Sequence, residues 1–299
     1  MIIRFFKFTK LPQLVTAMII SFLIMLAFKN LNDLISELYS LCVLILIFFL
    51  SLFIISKNSI LKSNQYIALG LIIFCGVYFK MPAELNITLS YLFLLLAIRK
   101  VYSLNSKKNQ NKKLFDIGFW FLISIILCPF NFIFILTILF GVFMFHKISV
   151  GAILKILTGV LTSAITTLFF LDLIGHVSFN TDSLIYFFDQ IWMIYLSNEI
   201  ITSNNYNHWL FASVSFVIFL YYSFNFFGNN LYERIKNLFL LIFFINSILL
   251  VFIINEYSIF LFFPFLVTLI KIISEYRNNL FFEIAVLIAI LINSYPYNI

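Results

Sequence analysis

The sequence predicts an all-α fold, a polytopic bundle of transmembrane helices. Three observations carry this. Of 299 residues, 63% are hydrophobic and 10% charged, whereas water-soluble chains carry about a quarter charged residues; so much apolar surface calls for lipid as its solvent. Apolar runs recur along the whole length, which makes 1–299 a single integral membrane domain with no interval for a soluble module. The cations are also sorted: "RKVYSLNSKKNQNKK", from Arg99 to Lys113, holds six cations and no anion between long stretches of Phe, Ile and Leu.

Taken in order, hydropathy gives about 11 segments, near 11–28, 38–55, 65–79, 85–98, 114–128, 130–145, 150–171, 209–227, 237–254, 258–273 and 279–293. Several fall short of the roughly 20 residues that cross a hydrocarbon core of about 30 Å, so they need snorkelling flanks or thinned lipid. Ahead of the first, Ile2, Phe5, Phe6 and Phe8 alternate with Arg4 and Lys7, a pattern suited to lying on an anionic leaflet. No small-x-small cleavage site follows, so an uncleaved anchor is expected. Within 114–145, Pro129 follows only about a dozen apolar residues, and proline ends or kinks a helix. Two readings stay open there: two short spans, or nine spans in all plus a re-entrant hairpin. Either returns the chain to one side at His146 and Lys147.

The segment from Val150 carries Thr158, Thr162 and Thr166 at four-residue spacing, with Gly159 and Ser163 beside them. Packed membrane helices use small and hydroxyl residues in this way; a hydroxyl-lined path is the alternative. The stretch 173–208 contains "SLIYFFDQIWMIYL", too short to cross and too aromatic for a solvated loop. Tyr186, Trp192, Tyr195 and Trp209 suit the headgroup level, so an interfacial helix in a periplasmic loop is expected.

Orientation follows Lys and Arg in short loops. With the N-terminus cytoplasmic, seventeen of the 19 cations fall inside, and only Lys29 and Lys80 outside. The stretch 99–113 is then a basic cytoplasmic loop and the C-terminus is periplasmic. Eight acids, among them Asp172, Asp182, Asp189, Glu199 and Glu256, fall outside. Spread over loops that face anionic lipid, where each cation is worth about 1 kcal/mol, the net charge of +7 points to membrane lipids as partners and not to nucleic acid.

Cys42, Cys75 and Cys128 each lie within an apolar run, where a thiol behaves as a small hydrophobe, so no disulfide and no metal framework is expected. The sequence has no phosphate-cradling glycine loop, no HExxH and no GxSxG, and no cofactor is expected. Three candidate catalytic residues stand out. Asp172 and His176 sit one turn apart at an outer helix end, close enough to share a proton, but Gly175 lies between them and no third ligand is near. Glu256 occupies "NEY", the tight connection between two apolar runs. That connection makes the runs antiparallel neighbours and holds a carboxylate at the membrane boundary. Glu199 and His208 are weaker. Lys155 and Glu283 sit where they can snorkel, and Asp116, after "NKKLF", meets the positive end of a helix dipole.

The stretch "LAIRKVYSLNSKKNQNKKLFDIGFW", with "MIIRFFKFTK" and "NEYSIFLFFPF", resembles a family of uncharacterised polytopic inner-membrane proteins of Bacteroidota, often labelled beta-carotene monooxygenases. The resemblance implies a multi-pass protein of a bacterial inner (cytoplasmic) membrane and carries no activity and no assigned catalytic residues. The oxygenase label does not fit: such enzymes hold iron with a set of histidines, and of three here, His146 is expected across the membrane from His176 and His208.

The expected function is a component or assembly factor of a cell-envelope machine, docking other membrane proteins through its helices and basic loop. One alternative is a membrane transferase or polymerase acting on polyprenyl-linked sugars with Glu256, Asp172 and the acids of 182–199. It lacks a lysine or arginine in 173–208 to hold a diphosphate. A transporter is the third, without the internal repeat that transport folds show.

Overall fold

Lipid offers no hydrogen bonds, so each buried segment must satisfy its own backbone, and the helix does this locally. The computed structural model describes Phe5 and residues 10–28, 34–60, 67–80, 84–146, 149–173, 206–224, 231–253 and 255–275. Among the described residues there are ten α-helices and no strand: α1 (Leu11–Phe28), α2 (Leu34–Lys57), α3 (Ile67–Lys80), α4 (Leu85–Ser103), α5 (Gln110–Leu127), α6 (Ile135–Phe145), α7 (Val150–Leu173), α8 (Tyr206–Phe224), α9 (Leu231–Ile253) and α10 (Phe262–Glu275). Two 3-10 turns, Pro129–Phe134 and Asn255–Leu261, precede α6 and α10. The eleventh expected segment, 279–293, and the interfacial helix expected within 173–208 lie outside the described residues.

Among the described residues four stretches are long and apolar enough to cross a membrane: Leu38–Lys57, Leu85–Ser103, Val150–Phe170 and Glu233–Phe252. The protein is thus an all-helical, membrane-compatible fold. Several helices outrun the hydropathy that marked them. α4 continues through Arg99, Lys100 and Ser103, and α5 begins at Gln110, so the basic stretch 99–113 is mostly helix, with only 104–109 as connection. Arg, Lys and Gln are good helix formers, and a helix need not stop where lipid does.

α5 leans on α4 along one side and on α7 along the other, and α4 leans in turn on α2. At the α5–α7 crossing, Gly118 and Gly159 face each other's backbone. A methyl group on Gly118 would lie 2.1 Å from the Ile156 carbonyl oxygen, and one on Gly159 would lie 2.1 Å from that of Phe115. Only glycine permits so close an approach, which brings whole backbones into dispersion contact.

Pro129 ends α5 as the sequence foretold. Proline disfavours helical backbone in the residue before it, and Cys128 is extended (φ −149°, ψ 100°); Pro129 then opens the 3-10 turn, where its missing N–H is not needed. α6 runs back until Phe145 lies 5.7 Å from the Tyr102 ring of α4 and 5.7 Å from Phe239 of α9. The hairpin therefore returns to the end it left, as both readings of 114–145 require.

The centre of the molecule is α10 and the turn before it. Ser258 to Thr268 are buried without exception. Phe260 meets Phe134 at 5.6 Å and Tyr91 at 5.0 Å, while Phe262 lies 3.8 Å from Phe74. A helix N-terminus leaves amide donors without partners; here the Tyr91 hydroxyl on α4 accepts from the Phe263 N–H at 2.9 Å. On α9, Asn246 donates to the Thr137 hydroxyl of α6 at 2.7 Å, fully inside.

Candidate functional site

The charged chemistry of the described residues is concentrated at one end of the bundle, where α2 and α4 finish and α5, α7 and α9 begin. Lys100, in the last turn of α4, donates to Asp116 of α5 at 2.6 Å. Lys113 reaches back from α5 to the Ser103 carbonyl at 2.6 Å, the Ser106 carbonyl at 2.9 Å and the Ser106 hydroxyl at 2.5 Å. Lys155 of α7 donates to the Asn111 side-chain oxygen at 2.7 Å. These bonds tie the ends of α4, α5 and α7 to one another. Arg99 lies 4.3 Å from the centre of the Phe53 ring on α2, a cation on an aromatic face.

Lys236 of α9 extends this to the other side of the bundle. Although 3% exposed, it donates to the carbonyls of Asn58 and Ser59 just beyond α2. The last carbonyls of a helix carry the negative end of its dipole, so they satisfy a buried ammonium. Ser59 has φ 46°, the left-handed conformation that turns the chain away after a helix.

Above this framework Lys107, Lys108 and Lys112 are exposed. Burial, and then the nearby charge of Lys100, hold the Lys113 ammonium below the ordinary lysine pKa. Asp116 neutralises Lys100 and leaves the rest of the end positive.

The structure distributes the sequence candidates over separate elements. Asp172 lies in the last turn of α7 and Glu256 in the turn Asn255–Leu261; His176 lies outside the described residues. α7 packs chiefly on α5, whereas the turn of Glu256 packs on α9, α8, α10 and α4, so the fold does not build Asp172 and Glu256 into one packed unit. Among the described residues no three His, Cys, Asp or Glu side chains gather as metal ligands would. The threonine stripe of α7 is not its packing face: Thr158 and Thr166 are exposed and Thr162 is half-buried, while Gly159 and Ser163 are buried. Each hydroxyl bonds back to its own helix, Thr158 to Lys155, Thr162 to Gly159 and Thr166 to Ser163, at 2.8, 2.9 and 3.0 Å.

Sequence reasoning missed Asp116 as the partner of Lys100, reading it only against the helix dipole. The signal was available, because in a helical hairpin, residues equidistant from the turn meet. Lys100 with Asp116, and Ser103 with Lys113, both straddle Lys108 symmetrically. It also missed Asn131, which is buried after Pro129 and donates to the Ser124 carbonyl at 3.2 Å, its own side-chain oxygen having no partner among the described residues.

Fold and site together define an all-helical, membrane-compatible protein with an organised basic end. Compared with protein-family models, curated proteins and solved structures, the chain has no significant match.

Proposed function

We propose that the chain is a multi-pass protein of a bacterial inner membrane, crossing in about eleven segments with its N-terminus cytoplasmic and its C-terminus periplasmic. In this reading it serves as a component or assembly factor of a cell-envelope machine, docking other envelope membrane proteins. The observation that carries it is the cross-bonded basic end: Lys100–Asp116, Lys113–Ser103 and Lys155–Asn111 fix three helix ends beneath the exposed Lys107 and Lys108. A surface held in one geometry binds without first spending entropy to order itself. The sequence resemblance supports the membrane and the cell type.

Co-purification from native membranes in mild detergent tests the docking role. Defined membrane partners are expected with the unaltered chain and are expected to be lost when Lys107 and Lys108 are replaced by Glu; recovery of the chain alone refutes the reading. A tag after Ser106 tests the orientation, since access to it from outside intact spheroplasts inverts the topology.

A membrane glycan transferase is the second reading, favoured by the anchoring of Glu256 in a turn whose following residues are deep in the core. Unchanged envelope glycans in both Glu256→Gln and Asp172→Asn cells remove it. The inward-bonded threonines of α7 lend no support to transport.

A further inference from the structure

The uncovered side of α2 is apolar and ends in a cation. Leu46, Phe49 and Phe53 are 56%, 38% and 37% exposed. Their spacing of three and four residues, continued by Lys57 four residues beyond Phe53, keeps all four on one stripe of the helix. The opposite side is the packed one, where Leu44, Phe48, Ser51 and Ile55 are fully buried. Leu38–Lys57 is 20 residues long, about 30 Å of helix, so a span that keeps its apolar stripe in lipid brings Lys57 to the headgroups.

A second cation reaches the same stripe. Arg99, near the end of α4, lies over the Phe53 ring at 4.3 Å, and Lys57 lies over it at 5.7 Å. One exposed phenylalanine thus gathers two positive charges from two helices. Among the described residues neither cation pairs with a carboxylate; Asp116 is held by Lys100 at 2.6 Å. No acceptor there engages the Arg99 guanidinium either, whose N–H donors match phosphate oxygens in pairs. The carbonyls that end a helix repel an anion, but those of Asn58 and Ser59 are already bonded to the buried Lys236, which sets a third positive charge at the same helix end. A soluble anion would match the cations and leave the stripe unused. A neutral lipid would cover the stripe and leave the cations unpaired.

We propose that the corner where α2 and α4 finish binds an anionic phospholipid, its phosphate between Arg99 and Lys57 and an acyl chain descending along Phe53, Phe49 and Leu46. The site rests on the membrane embedding proposed above and not on the docking role, whose cations, Lys107 and Lys108, lie in the connection between α4 and α5.

The test uses the full chain in lipid nanodiscs, with its three native tryptophans changed to Phe and Phe49→Trp as reporter, about 12 Å along the helix from Lys57. Every disc holds the same minority of phosphatidylglycerol in phosphatidylcholine. Bromine is carried either on the phosphatidylglycerol chains or on an equal number of phosphatidylcholine chains. One engaged cation enriches an anionic lipid about fivefold, so bromine on phosphatidylglycerol is expected to quench the reporter several-fold more strongly. Arg99→Gln with Lys57→Gln is expected to abolish the difference. Lys57→Gln alone, at an exposed position, is expected to reduce it and keeps the test decisive if the double variant fails to fold. Lys107→Gln with Lys108→Gln is expected to preserve it, which separates this site from the docking surface. Equal quenching in the reporter chain overturns the proposal, as does a full preference that survives Lys57→Gln or a preference lost in Lys107→Gln with Lys108→Gln. Loss of the preference in millimolar inorganic phosphate, against chloride of equal ionic strength, also overturns it, by assigning the cations to a soluble anion.

Discussion

α7 and α10 are both apolar, yet they meet opposite fates. α7 touches the bundle along one narrow face, where Ala152, Gly159 and Ser163 are buried, while Leu154, Leu157 and Leu161 are exposed. α10 packs against α3, α8 and α9, with phenylalanines buried in its first turn and the Phe263 N–H bonded to Tyr91. In water, hydrophobicity would sort inside from outside. In lipid it does not, because tails solvate leucine as well as a protein core does. Close backbone approach and interhelical hydrogen bonds do the sorting.

The comparison can be broken first at the glycine crossing. Gly159→Leu inserts a side chain into the Phe115 carbonyl and is expected to separate α7 from α5, at a cost of about 3 kcal/mol; thermal unfolding in detergent micelles reads this as the largest drop of the series. At the α10 side, Tyr91→Phe keeps the ring packing and strands the Phe263 N–H, a loss of about 1–3 kcal/mol in the same assay. Asn246→Leu removes the bond to Thr137 and is expected to cost about 1 kcal/mol. Asp116→Asn breaks a partly exposed ion pair worth about 0–1 kcal/mol, and the sign of that role is a reduced dependence of stability on salt. Smallest of all, Leu161→Ala on the uncovered side of α7 is expected to stay within about 0.5 kcal/mol. A cost equal to that of Tyr91→Phe would mean that this side of α7 is covered by something other than fluid lipid.

Hydropathy in the sequence located each described helix, with ends off by as much as six residues at the start of α9, and Pro129 marked its break, because both signals are local. The packing face of α7 was half legible. The four-residue threonine spacing named the right helix, but Thr158 and Thr166 turned outward. A hydroxyl that bonds to its own preceding turn has its donor satisfied and can face lipid at small cost, whereas Gly159 has no substitute at a crossing. Of the site, the gathering of cations was legible as composition, and their fixing was not: Lys155–Asn111 and Lys236–Asn58 join residues 44 and 178 apart, which no periodicity can connect. Glu256 and Asp172 were singled out because a charge near lipid is rare, a criterion that finds boundary residues without showing that they converge.

The bond between Tyr91 and Phe263 spans 172 residues of chain. Ribosomes add about 5–20 residues per second, so α4 waits on the order of ten to thirty seconds for the helix that completes it. For that interval the slot destined for α10 is an open cleft in the nascent protein, with a tyrosine hydroxyl at its wall. A late insertion then completes this packing: a helix of 14 residues, too short to cross the bilayer by itself, fills the place that α4 has held for it.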